Sequence, residues 1–126
     1  MKRVLIADDE PSIRKLYERE LKREGYEVHI ASSGEEALKL VREVKPDLVV
    51  MDIRMPGMDG IEALNRILEE RNELPVVINT AYSSFRDNFL SWCADAYVTK
   101  SSDLTELKAT IRSLLAPQQR VEAQPV

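Results

Sequence analysis

The chain has 126 residues, enough for one domain and short for two. Its formal net charge of −4 argues against unassisted binding to a nucleic acid backbone or an anionic membrane. A single cysteine, Cys93, excludes an internal disulfide, and no apolar run approaches the ~20 residues of a membrane span, so a soluble cytoplasmic domain is expected.

Val4–Ala7 is wholly apolar, the pattern of a strand buried on both faces, and it runs into Asp8-Asp9-Glu10. Pro11 suits the first turn of a helix. Ile13, Leu16, Tyr17 and Leu21 share that helix's inner face, Arg14, Lys15, Arg19, Lys22 and Arg23 form a solvated face, and Gly25 stops it. Glu27–Ala31 alternates, as a strand nearer an edge does, and His29 is read as an edge or surface residue. Ser33 and Glu36 make a capping box for a second helix, with Ala37, Leu38 and Val41 inward and Pro46 as its stop.

Leu48–Met51 is a second apolar strand, and Asp52 closes it. The turn-rich stretch Ile53–Gly60 leads to a third helix with Ile61, Leu64, Ile67 and Leu68 inward. Pro75 opens a fourth strand, Val76–Asn79, which ends at Thr80. A fourth helix is expected around Phe85, Phe89 and Trp92, aromatics that with Cys93 suit a core. Ala96–Thr99 is a short fifth strand ending at Lys100. Asp103 and Glu106 cap a last helix carrying Leu104, Leu107, Ile111, Leu114 and Leu115. Residues 117–126 lack periodicity and read as a flexible tail after a domain of residues 1–116. Five βα units in succession imply an α/β fold, a doubly wound parallel five-stranded sheet covered on both faces.

Four of these strands end in polar residues: Asp8-Asp9, Asp52, Thr80 and Lys100. In a parallel sheet such ends share one edge, the edge where open α/β sheets place ligands. Three carboxylates repel one another unless a cation joins them. A hard dication, Mg2+ or Mn2+ in its place, takes carboxylate oxygens and accepts a phosphate oxygen. Lys100 can hold a second phosphate oxygen and Thr80 can donate to a third, which leaves Asp52 as the group that attacks phosphorus. Taken singly, Asp8-Asp9 also reads as acids facing a helix N-terminus, Thr80 as a strand-end hydroxyl and Lys100 as a solvated charge. Only the set favours a site.

Val4-Leu5-Ile6-Ala7-Asp8-Asp9-Glu10, Leu48-Val49-Val50-Met51-Asp52-Ile53-Arg54-Met55-Pro56-Gly57-Met58-Asp59-Gly60, Thr80-Ala81 and Tyr97-Val98-Thr99-Lys100 occur in that order. Together they resemble the receiver domains of two-component response regulators, over about residues 2–116. The resemblance implies a flavodoxin-like strand order 2-1-3-4-5. It implies Asp52 as phosphoacceptor from a histidine kinase or phosphotransfer protein, and slow autodephosphorylation rather than enzymatic turnover. It implies Mg2+ held directly by Asp9 and Asp52, by Asp8 through water, and by the backbone carbonyl of Arg54. Thr80 and Lys100 would bind the phosphoryl group, and Tyr97 would turn into the space Thr80 vacates. Phosphorylation would thereby switch the surface of the fourth helix, fifth strand and fifth helix, which could dimerise or meet a downstream target or output domain. No direct nucleic acid or membrane contact is expected of the domain itself.

Two features depart from the family pattern. Ser101 stands where proline usually follows the lysine, and residues 83–92 carry an unusual aromatic load. Arg54 and Tyr82, each two residues past a site residue, are long enough to crowd an in-line water, so a long-lived phosphate is expected. The alternative function is a metal-dependent phosphohydrolase with an aspartyl nucleophile. It fits less well, because such enzymes open on Asp-x-Asp after the first strand and Arg54 occupies the place of the general acid. A nucleotide-binding domain is disfavoured, since neither Gly-x-Gly-x-x-Gly nor Gly-x-x-x-x-Gly-Lys is present.

Overall fold

The computed structural model describes residues 1–52, 60–80, 95–101 and 103–116, with helix backbone only at Gly60 and Ile61. Among the described residues nine elements follow in order: β1 (Arg3–Ala7), α1 (Pro11–Arg23), β2 (Glu27–Ala31), α2 (Gly34–Val44), β3 (Leu48–Met51), α3 (Gly60–Glu70), β4 (Val76–Thr80), β5 (Ala96–Thr99) and α4 (Thr105–Leu115). The helix expected around Phe85–Trp92, Cys93, Arg54, Tyr82 and the tail from Pro117 lie outside the described residues.

All strand pairs are parallel and the order is β2-β1-β3-β4-β5. The order 2-1-3-4-5 expected from the resemblance is therefore found, with Glu27–Ala31 on the edge. Strand residues alternate between two cores, as a period of two demands. Leu5, Ala7, Val49, Met51, Val76 and Ile78 meet Ala37, Leu38 and Val41 of α2 and Leu64 and Ile67 of α3. On the other face, Val4, Ile6, Leu48, Val50, Val77 and Val98 meet Tyr17 and Leu21 of α1 and Leu107 and Ile111 of α4.

The helix ends show local chemistry the sequence signalled only in part. Gly25 adopts φ 96°, and the N–H groups of Gly25 and Tyr26 donate to the carbonyls of Lys22 and Leu21, closing α1. Ser33 accepts from the Glu36 N–H at 3.1 Å, the expected cap. The return arm of the capping box differs: Glu36 accepts from the backbone and hydroxyl of Ser32, not of Ser33. α2 ends at Lys45, in the left-handed region at φ 55°, whose N–H donates to the Val41 carbonyl at 3.2 Å, and Pro46 keeps the helix from continuing. The expected cap of the last helix is also corrected. Asp103 accepts from the N–H and hydroxyl of Thr105, while the N-cap position is Leu104 with no side-chain cap.

Candidate functional site

The hydrogen-bond ladder continues one residue past three strands. Asp8 donates its N–H to the Ala31 carbonyl at 3.0 Å, Asp52 to Ala7 at 2.9 Å, and Lys100 to Thr80 at 2.8 Å. These bonds hold the polar tips side by side on one edge of the sheet. Alternation then sorts them. Asp8, Asp52 and Lys100 continue the phase that faces α1 and α4, whereas Thr80 continues the phase of Ile78 toward α2 and α3.

Asp8 is 2% exposed and Asp52 5%, so both carboxylates are nearly dry. Such charges persist only when paired. The pairing comes from Lys100, whose Nζ lies 2.7 Å from Asp8 Oδ2 and 2.8 Å from Asp52 Oδ2. The second oxygen of Asp8 accepts the Glu10 N–H at 2.9 Å. Arg14 corrects the reading of a purely solvated helix face. It is partly buried, and its guanidinium donates to the Asp8 carbonyl at 2.8 Å, tying α1 to the turn before it.

Electrostatics follow from this burial. Desolvation alone would weaken the Lys100 ammonium, but hydrogen bonds and charge from Asp52 and Asp8 overcome it and raise its pKa above the ordinary lysine value. Desolvation raises the Asp8 carboxyl above its ordinary value, against the pull of Lys100 and the Glu10 N–H. Asp9 is exposed, yet Asp8, Asp9 and Asp52 each offer a carboxylate oxygen within 4.8 Å of the others. A near-buried pair plus one solvent-facing oxygen donor is a donor set that fits a hard dication with waters on its open side.

Thr80 is fully buried at the end of β4. Tyr97, beside Ile78 in the β4–β5 register, is buried in the α2–α3 core, on the face whose phase Thr80 continues. The Lys100–Ser101 peptide is trans, and the Ser101 hydroxyl accepts the Asp103 N–H at 3.1 Å. Serine in place of proline therefore leaves Lys100 in reach of both acids.

One polar pair beside this site was not singled out from the sequence. Tyr17 and Asn79 are 1% and 2% exposed; the Tyr17 hydroxyl donates to Asn79 Oδ1 at 2.7 Å, and Asn79 Nδ2 donates to the Val98 carbonyl at 2.9 Å. The available signal was an amide in an otherwise apolar strand, in phase with a phenol on an apolar helix face.

Residues 4–112 match the family model of the response regulator receiver domain. The response regulator protein TrrA from Thermotoga maritima, solved in complex with Mg(2+)-BeF, is 46% identical, covers 91% of this chain and 100% of its own, and has a TM-score of 0.87. TrrA solved in complex with histidine kinase ThkA gives 46% identity, 92% and 100% coverage and a TM-score of 0.85. Among curated relatives, the alkaline phosphatase synthesis transcriptional regulatory protein PhoP of Bacillus subtilis is 39% identical over 90% of this chain. The regulatory protein AtoC of Escherichia coli is 39% identical over 92% of it. The chain spans 48% of the first and 26% of the second.

Proposed function

The chain belongs to the response regulator receiver domains of two-component systems, and from that premise we propose that Asp52 is its phosphoacceptor and Lys100, Thr80, Asp8 and Asp9 are its working partners. The observation that carries this reading is the Lys100 ammonium lying 2.7 and 2.8 Å from two nearly buried carboxylates, with a third carboxylate beside them.

The roles follow from the chemistry of each group. An Asp52 carboxylate oxygen attacks phosphorus in line, and the bond from phosphorus to the leaving group breaks with its electron pair going to that group. Burial strips Asp52 of competing water, and the ladder bond to Ala7 fixes where its side chain emerges. Lys100 is bonded to the acceptor before transfer and remains positive, so its charge is available to the phosphoryl oxygens without reorganisation. Thr80 supplies a hydroxyl donor from the neighbouring strand end, and Tyr97 lies on the same face as its switch partner. Asp8, Asp9 and Asp52 would hold Mg2+, which neutralises charge on the phosphoryl oxygens when bound. The Arg54 carbonyl is proposed as a further ligand, and Arg54 and Tyr82 as the residues that shield the phosphate from water.

A histidine kinase or phosphotransfer protein is the proposed donor, a role supported by the ThkA complex of TrrA. A downstream protein or an output domain is the proposed recipient of the switch, supported by the transcriptional regulators among the relatives. Among the described residues no helix is long and apolar enough to cross a membrane. The phosphohydrolase alternative draws no support from the family match.

Titration with acetyl phosphate or beryllofluoride in Mg2+, on wild type and Asp52→Ala, tests the reading. One equivalent of phosphoryl group on wild type and none on the variant is expected. Multiple turnovers, or equal uptake by the variant, would overturn it.

A further inference from the structure

We propose that Tyr17 and Asn79 are positioning residues that hold the Lys100 ammonium against Asp52, through a buried strut running from α1 to the end of β5. The inference rests on the reading of Asp52 as acceptor and Lys100 as its charge partner.

The strut is a chain of two bonds. The Tyr17 hydroxyl takes up Asn79 Oδ1 at 2.7 Å, which turns the amide so that Nδ2 meets the Val98 carbonyl at 2.9 Å. Each residue belongs to a segment that feeds the site. Asn79 precedes Thr80, Val98 lies two residues before Lys100, and Tyr17 sits on the helix that follows the turn of Asp8 and Asp9. The Lys100 N–H donates to the Thr80 carbonyl. The Asn79 and Thr80 bonds therefore bracket Thr99 and fix the backbone from which the Lys100 side chain departs.

An amide inside an apolar sheet costs stability unless every polar atom is bonded, and packing alone would be served by valine, as at Val77 on the same face. What the amide provides is direction. A hydrogen-bonded carbonyl two residues upstream decides where an ammonium on a long flexible stem spends its time. Only that placement lets one cation touch Asp8 and Asp52 together. The Tyr17 phenol also feels the charges of Lys100, Asp8 and Asp52.

The test compares wild type, Tyr17→Phe and Asn79→Val, each shown folded by urea titration, in phosphorylation by acetyl phosphate at saturating Mg2+. Tyr17→Phe keeps the ring and removes only the strut's first bond. Loss of alignment should slow acceptance by about tenfold, well within what ~1 Å of misplacement costs. Mg2+ affinity should stay within about twofold, because its proposed ligands are carboxylates and a backbone carbonyl, not the strut. The 15N resonance of Lys100 Nζ should shift in both variants. The double variant should be no slower than the slower single one, as expected of groups acting as a unit. Unchanged rates in folded variants, or an unmoved Lys100 resonance, would overturn the inference. Asp52→Ala is run alongside. If it still accepts phosphate, the acceptor reading fails; if it is inert while Tyr17→Phe matches wild type, only the strut fails.

Discussion

Replacing Lys100 with methionine keeps the stem and removes the charge that two acids share. The side chains concerned are 16% exposed for Lys100, 3% for Asp8 and 7% for Asp52, so the cluster is a buried one, not a surface ion pair worth under about 1 kcal/mol. Removing one member of a buried pair costs about 3–5 kcal/mol, because the remaining charge is left without compensation. Here two carboxylates are stranded, and at Asp8, whose carboxyl desolvation already raises against the pull of Lys100, nothing is left to oppose that rise from the cation. The folded pKa of Asp8 then exceeds that of the unfolded chain, so acidification relieves the variant and alkalinity penalises it. Lys100→Met should therefore lose about 3 kcal/mol or more near neutral pH without metal, and less as the pH falls toward the raised Asp8 value. Mg2+ should recover more stability in the variant than in wild type, since it replaces the missing charge. Urea unfolding with chelator and with Mg2+, at several pH values, measures all three effects. A loss below about 1 kcal/mol, indifferent to pH and metal, would refute the shared-cation reasoning.

Further outcomes follow from the same geometry. Burial pushes the Tyr17 phenol up to about 12, with Lys100 opposing and Asp8 adding to the shift, while the unfolded chain ionises near 10.0. The associated stability is complete below the unfolded value and should fall by up to about 3 kcal/mol as pH rises from about 10 to about 12. Tyr17→Phe should lack this alkaline decline, and identical limbs in urea unfolding would contradict it. Asp8, raised by desolvation, must lose its proton to hold a metal, so Mg2+ affinity should begin to fall on acidification before the ordinary carboxyl value of 3.8 is reached. Calorimetric titration across acidic pH checks this, and constant affinity down to that value would contradict it. Ser33→Ala removes the cap on the Glu36 N–H and should cost about 1 kcal/mol, with phosphate acceptance unaltered.

The sheet was legible because its three inner strands are built on apolar runs and the edge strand Glu27–Ala31 alternates, and because alternating strands and helices leave one topology family open. The acid tips were legible for the same reason: a carboxylate ending a buried strand has no packing motive. Finer contacts depend on tertiary neighbours that periodicity does not reveal. Arg14 sits in a run of cations yet bonds the Asp8 carbonyl, because helix phase and the preceding turn bring them together. Asp103 bonds Thr105, since the chain enters α4 one residue later than an acid at the N-cap would require. Tyr17 and Asn79 lie 62 positions apart, and only the docking of α1 on the sheet makes them partners.

Where the phosphoryl group lands is the most direct question. Acetyl phosphate treatment in Mg2+, borohydride reduction of the acyl phosphate and peptide mapping by mass spectrometry would locate it. Modification confined to Asp52 and abolished by chelator is the expected result. Modification at another residue, or equal labelling without metal, would contradict the assignment of this sheet edge as the site of phosphoryl transfer.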